Sequence, residues 1–310
     1  MYRLHIILFA IISLSGCKTD GGFDEPTTTD KDDVVDGPIT TDKHETIVRT
    51  DNFGTDSSLW DSRMQKGASI IFGDTDSHAE DGHILSLVFP GNPSLGSTDR
   101  TSPAFATEVW TQQTLHYGRY EMNVQFAQCA NDEEVVSGIF TYYHNGEDLN
   151  QNGLEDNSEI DIEYLCGEPN LLWLTTWTDD DNSGFRKKTR SINMSTGEMY
   201  QTPDGGEDNY DTEYAGNLTS IRLADFPAAQ TYYHLGFEWY EDHVRWFMVM
   251  DDQEITLWDM TDQTMVPQHA ANFMLNVWHA ATHWSTGEAG NYPDNNSTLK
   301  VDWFNYQPFD

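Results

Sequence analysis

Apolar and polar residues alternate with a period of two along much of this chain. The run Tyr120-Glu121-Met122-Asn123-Val124-Gln125-Phe126 alternates, and so does Ile160-Asp161-Ile162-Glu163-Tyr164. Successive side chains of a strand point to opposite faces, so such runs predict strands with one apolar and one polar side. The stretches His234 to Val249 and Phe273 to Trp278 read as further strands, broken by Gly, Asn and Asp turns. No segment carries the 3.6-residue period of a convincing amphipathic helix. Many short strands without helices predict an all-β domain, a β-sandwich of two strongly curved antiparallel sheets.

The N-terminus breaks this pattern. Arg3 precedes the apolar run Leu4 to Ile12, which is too short to span a bilayer as a helix. The run leads into Leu14-Ser15-Gly16-Cys17, which resembles a bacterial lipobox, with small residues before a cysteine that receives lipid. Residues 1–17 are therefore expected to be a lipoprotein signal peptide ending at Cys17, a plain secretory signal being the alternative. Lys18 rather than Asp follows the cysteine, which goes with the outer membrane in Gram-negative lipoproteins. The expected location is outside the cytoplasm, on the cell surface or in the periplasm, touching the membrane through the lipid anchor alone. Residues 18–47 are rich in Thr, Asp, Gly and Pro and hold nine acids and three bases, which predicts a disordered tether. The folded domain is expected over residues 48–310. Its cysteines, Cys129 and Cys166, would meet an oxidising compartment, and the sequence leaves open whether they pair.

Charge narrows the partners. The 310 residues carry 52 acids against 16 bases, a formal net charge of −36. A field of that sign repels phosphate backbones and argues against a nucleic-acid partner; it reads as a surface adapted to salt. Aromatic residues make up 13% of the chain, with 10 Trp. They can fill a core, and their faces can stack on sugar rings.

The segment Ser158-Glu159-Ile160-Asp161-Ile162-Glu163-Tyr164-Leu165 places three carboxylates at every second position. On a strand they share one face, while Ile160, Ile162 and Tyr164 share the other. A solvated face would mix in Lys, Ser or Thr, because like charges at neighbouring positions cost stability. Retaining glycoside hydrolysis wants such an arrangement: one carboxylate attacks the anomeric carbon, and another protonates the leaving oxygen and later activates water. A central Asp161 could share a proton or hydrogen bond with the flanking acids. Metal ligation is the functional rival, but no His accompanies the three acids in the motif.

The strand Glu159-Ile160-Asp161-Ile162-Glu163 resembles the signature of glycoside hydrolase family 16. His116 to Glu121, Val136 to Tyr142, Tyr233 to Trp239, Leu275 to Trp278 and Val301 to Trp303 are similar to ordered strands of that family. The resemblance implies a concanavalin A-like jelly roll with a substrate cleft on its concave sheet and no required cofactor. It implies Glu159 as nucleophile, Asp161 as its assistant and Glu163 as acid/base. The single residue between Asp161 and Glu163 resembles the licheninase-like branch. By the same resemblance Glu108, Trp177, Asn276 and Trp278 fall at sugar-contacting positions. Trp110 departs from the pattern, since an Arg is usual two residues after the Glu.

Two further signals bear on ligands. Asp148, Asn150, Asn152 and Asp156 follow the spacing of a calcium loop that would end at Glu159. The flanking runs read as strands rather than the helices of an EF-hand, so the segment is either a structural calcium site or a polar Asn-Gly turn. Arg186-Lys187-Lys188-Thr189-Arg190 holds four of the sixteen bases. It reads either as a guarded edge strand or as a face of Arg186, Lys188 and Arg190 that meets an anionic sugar. The remaining histidines, among them His144, His234 and His283, show no zinc-ligand spacing. The expected activity is a retaining endo-β-glycanase acting on an extracellular β-linked polysaccharide. The basic run and Trp110 lean toward an algal sulfated galactan of the carrageenan or furcellaran type. A mixed-linkage β-1,3-1,4-glucan is the alternative, and a non-catalytic polysaccharide-binding lectin is a third reading.

Overall fold

The alternating runs become the strands of two antiparallel sheets. A computed structural model of the chain describes residues 49–54, 58–91, 104–149, 151–180, 185–202 and 213–309. The first strands are β1 (Arg49–Asp51), β2 (Trp60–Met64), β3 (Ser69–Thr75), β4 (His83–Phe89), β5 (Ala104–Thr111) and β6 (Gly118–Gln125). Then come β7 (Val136–His144), β8 (Asn157–Leu165), β9 (Leu171–Asp180), β10 (Phe185–Asn193), β11 (Glu198–Gln201) and β12 (Glu213–Leu218). The last are β13 (Tyr233–Trp239), β14 (Val244–Met250), β15 (Gln253–Met260), β16 (Asn272–His279) and β17 (Ser297–Pro308). Among the described residues one short 3-10 turn, Gln263–Met265, interrupts the strands, its entry capped by the Asp262 side chain accepting from the Thr264 amide.

One sheet has eight strands in the order β15-β14-β13-β6-β17-β4-β3, with β1 on β17. The other has nine, in the order β12-β11-β10-β9-β8-β7-β16-β5-β2. The acidic strand β8 is therefore the middle strand of the larger sheet, with four strands on either side. A central strand has both edges paired, which fixes its register and with it the face each acid shows.

The core lies between the sheets. Ile160 and Ile162 of β8, Leu174 of β9 and Phe273 of β16 meet Phe237 of β13 and Trp246 of β14, all fully buried. Burial of this apolar surface supplies the main favourable free energy of the fold, at about 25 cal/mol per Å². One polar link crosses the core as well: the Trp246 indole N–H donates to the backbone carbonyl of Asp161 at 3.1 Å. The sheet opposite the acids thus holds their strand by its backbone. Cys129 and Cys166, whose pairing the sequence left open, form a disulfide with a Cα–Cα distance of 5.5 Å. It ties the loop after β6 to the end of β8.

Candidate active site

The register of β8 with its neighbours builds the site. Ile160 and Ile162 take the core side, so Glu159, Asp161 and Glu163 take the outer side, as the alternation predicts. Across β9 the three acids stand beside Trp177, Thr175 and Trp173. Across β7 they stand beside Tyr142, Phe140 and Gly138. One strand further, Gly138 faces Asn276 of β16, and Asn276 in turn pairs with Glu108 of β5. Glu108, Asn276, Trp278, Trp110 and Trp177 all lie on the same face as the acids.

Asp161 is the buried member of the triad, with 3% of its surface exposed. The Trp177 indole N–H donates to its carboxylate at 3.1 Å, and a hydrogen bond joins it to Glu159. Burial, followed by the negative charges of Glu159 and Glu163, pushes the Asp161 carboxyl well above the usual carboxylate range; the Trp177 bond pulls the other way. A carboxyl that keeps its proton donates to a neighbouring carboxylate and holds that neighbour charged and oriented. Two carboxylates in different environments on one strand thus divide into a charged group and a proton donor.

The far end of the face is organised around a glycine. A Cβ on Gly138 would come within 2.3 Å of the Asn276 side-chain oxygen, so a side chain at 138 would displace that amide. The Asn276 amide donates to Glu108 at 3.5 Å, and its own oxygen is buried without a partner. Glu108 is 4% exposed and forms a 2.8 Å ion pair with Arg63 of β2. Burial raises the Glu108 carboxyl, and the Arg63 charge and hydrogen bond draw it back. The guanidinium expected two residues after Glu108, where Trp110 stands, is thus supplied to Glu108 from the neighbouring strand.

Several residues of this face were not singled out from the sequence. Tyr142 stands beside Glu159, and burial followed by the charges of Glu159 and Glu108 raises its hydroxyl strongly. Trp284 packs against Trp173 edge-on at 5.6 Å and against Trp278 at 6.0 Å, making an aromatic cluster at the Glu163 end. Trp173 stands four residues before Trp177, an even spacing that puts both on one face of a strand; Trp284 lies in a loop, where no periodicity marks it. Lys187 is 1% exposed, with its ammonium over the Trp177 ring at 5.0 Å.

The basic strand corrects an expectation. Lys187, Thr189 and Ser191 register with Trp177, Thr175 and Trp173 and so take the acid face. Arg186, Lys188 and Arg190 register with Thr178, Thr176 and Leu174 and take the opposite face, in the same pleats as Ile160 and Ile162. Lys188 pairs with Asp262 at 2.9 Å, and the Arg190 guanidinium lies over the Trp258 ring at 5.1 Å. These three cations do share a face, but it is turned toward the other sheet and not toward the acids. Arg186 is therefore no sugar ligand of the acid face, and the basic face expected to meet an anionic sugar is not on the acids' side.

The calcium-spaced segment folds as a turn. The two Asp148 carboxylate oxygens accept from the amides of Asn152 and Gly153 at 3.0 and 2.8 Å. The Asn152 side chain accepts from Leu154 and donates to Asp179. Asp156 turns away and is fully buried, one oxygen accepting from the Leu149 amide at 2.8 Å. Asn150 lies outside the described residues, as do Cys17, the signal segment and the tether.

No protein-family model matches the chain. It is 26% identical over 188 residues to a Bacillus licheniformis β-glucanase, an alignment covering 58% of this chain and 56% of that protein. The chain thus spans about half the length of that curated relative. Among solved structures, a Bacillus licheniformis β-glucanase superposes with a TM-score of 0.52 at 18% identity, over 84% of this chain and 98% of the other. A β-1,3-1,4-glucanase (lichenase) from a mouse hindgut metagenome gives 0.51 at 19% identity, over 84% and 99%. By sequence the chain is similar to bacterial β-glucanases, and its architecture is the jelly-roll fold of the two solved structures.

Proposed function

We propose that the chain is a retaining endo-β-glycanase that hydrolyses internal bonds of an extracellular β-glucan. The observation that carries this reading is the central strand: Glu159, Asp161 and Glu163 on one face, with the middle acid buried, held by Trp177 and bonded to Glu159. In the proposed mechanism Glu159 attacks the anomeric carbon while Glu163 protonates the departing oxygen. A glycosyl ester on Glu159 forms as the glycosidic bond breaks. Glu163, now a base, takes a proton from water, which attacks the same carbon and releases Glu159. Retention requires the two outer carboxyls about 5–5.5 Å apart around the sugar. Asp161 keeps a proton through the cycle and donates to Glu159 when Glu159 leaves as carboxylate.

A neutral glucan suits this face better than a sulfated galactan. Glu108, Glu159 and Glu163 point at it, and a sulfate ester brought alongside would meet like charge, whereas the basic residues expected to greet it lie on the other side of the sheet. The β-glucanase relatives support the same choice. The proposal also places the enzyme outside the cytoplasm on a lipid at Cys17; palmitate labelling that disappears in Cys17→Ser would support that location, and labelling that persists would remove it.

The test is reducing-end release by the purified chain on mixed-linkage β-glucan, laminarin, agarose, carrageenans and furcellaran, with Glu159→Gln as control. Release fastest on a β-glucan and absent in the variant is the expected result. Faster release from a sulfated galactan would overturn the substrate. Binding without release on any substrate would move the protein to the lectin reading.

A further inference from the structure

Where β8 begins and β9 ends, three side chains from distant parts of the chain converge on one point. They are Asp156, Asp179 and His269, whose ligand atoms all lie within 4.8 Å of one another. The His269 Nε2 atom is 3.4 Å from an Asp156 oxygen and 3.5 Å from an Asp179 oxygen. Both distances exceed the normal range of an N–H···O bond. Both match the edge of a tetrahedral site whose ligands sit about 2.0–2.2 Å from a central ion, which is about 3.4 Å.

Hydrogen bonds hold these groups in place, and two of the three turn a buried, unpartnered atom toward the gap. One Asp156 oxygen accepts from the Leu149 amide. The other is fully buried without a hydrogen-bond partner, and so is His269 Nε2. Asp179 accepts from the Asn157 amide at 3.2 Å and from the Asn152 amide group at 3.0 Å. The His269 backbone amide donates to Ser158, fixing the loop that carries the ring. An orphaned carboxylate oxygen at zero exposure is costly unless something compensates it. A doubly charged cation facing two carboxylates and a neutral imidazole leaves the cluster uncharged.

We infer that Asp156, Asp179 and His269 form a binding site for a divalent transition-metal ion, zinc by preference. An imidazole nitrogen with two carboxylate oxygens selects zinc-like ions over calcium or magnesium, which take oxygen ligands alone. Three protein ligands leave a fourth position open. Asp179 also borders a cavity of about 230 Å³, together with Asn152, Thr178 and Arg186. The ligands come from the start of β8, the end of β9 and the loop before β16, so the ion would staple the strand of the catalytic acids at its entry. No pair of histidines announces the site in sequence, because its ligands stand 23 and 90 residues apart. The site does not depend on the glycanase reading.

The purified full chain, stripped with a chelator and dialysed, is titrated with zinc chloride by calorimetry and then melted with and without the ion. One zinc per chain is expected. At a hundredfold excess over Kd the melting temperature should rise by about 5 °C or more. His269→Gln and Asp179→Asn, which keep volume and polarity, should each weaken binding at least tenfold. Absence of stoichiometric binding to the wild-type chain would overturn the site and leave His269 as an ion-paired structural residue. Binding undiminished in the variants, or calcium bound more tightly than zinc, would overturn it equally. If one variant fails to fold, the wild-type titration and the other variant decide.

Discussion

Asp161 sits where its charge is least welcome: out of water, between two other carboxylates. Its carboxyl is raised above its unfolded value near 3.8, so from about pH 4 upward the folded protein holds a proton that the unfolded chain has lost. Stability from this group is fully present below that pH and falls as pH rises toward the folded pKa, by up to about 1.4 kcal/mol per pH unit. Asp161→Asn removes the titration yet keeps an oxygen for Trp177 and an N–H for Glu159. It should therefore melt several degrees above wild type at pH 7, with the gain vanishing near pH 4; a gain independent of pH would contradict the buried, protonated carboxyl. In the proposed mechanism Glu163→Gln removes the proton donor and should lower kcat by about 10²–10⁴-fold, with the smallest loss on substrates bearing an acidic leaving group. Equal losses on all leaving groups would take Glu163 out of the acid role.

At the scale of the element, a strand's two faces decide what its residues can do. Alternation in β8 made the acids legible from sequence, because a central strand with one buried face admits a single register. The basic strand β10 was legible as a strand with Arg186, Lys188 and Arg190 on one face, but not as to which face. Nothing local in Arg186 to Arg190 tells the inner side from the outer; the pairing with Trp177 and Thr176 does. Lys188→Ala should therefore leave KM and kcat on polysaccharide unchanged and cost up to about 1 kcal/mol of stability from the half-shielded pair with Asp262. A raised KM without loss of stability would return the basic strand to the substrate. Gly138→Ala should do the reverse in kind, displacing the Asn276 amide and lowering kcat/KM about tenfold or more. The Gly138 requirement escapes the sequence because it arises from a neighbour 138 residues away.

For the whole molecule, the sheet opposite the acids carries part of their positioning. Trp246 reaches across the core to the Asp161 carbonyl, and the Cys129–Cys166 disulfide anchors the end of β8 to the loop after β6. The bridge closes a loop with a sequence separation of 37, which by chain entropy stabilises the fold by about 3–4 kcal/mol. Reduction, or Cys129→Ala with Cys166→Ala, should lower the melting temperature by about 6–12 °C; an unchanged value would mean that the bridge adds nothing. Two-sheet architecture and acid triad were readable because period-two patterning acts locally. The pairing of the cysteines, the Arg63 partner of Glu108 and the Asp156–Asp179–His269 cluster depend on which distant strands meet, and no local pattern encodes that.

The assignment of Glu159 as nucleophile in a double displacement is tested most directly by the anomer released first. Proton NMR of a mixed-linkage β-glucan digest, recorded within the first minutes, should show the β-anomer of the new reducing end before mutarotation brings up the α-anomer. An α-anomer appearing first would mean a single displacement by water, and Glu159 would then be a base and not a nucleophile.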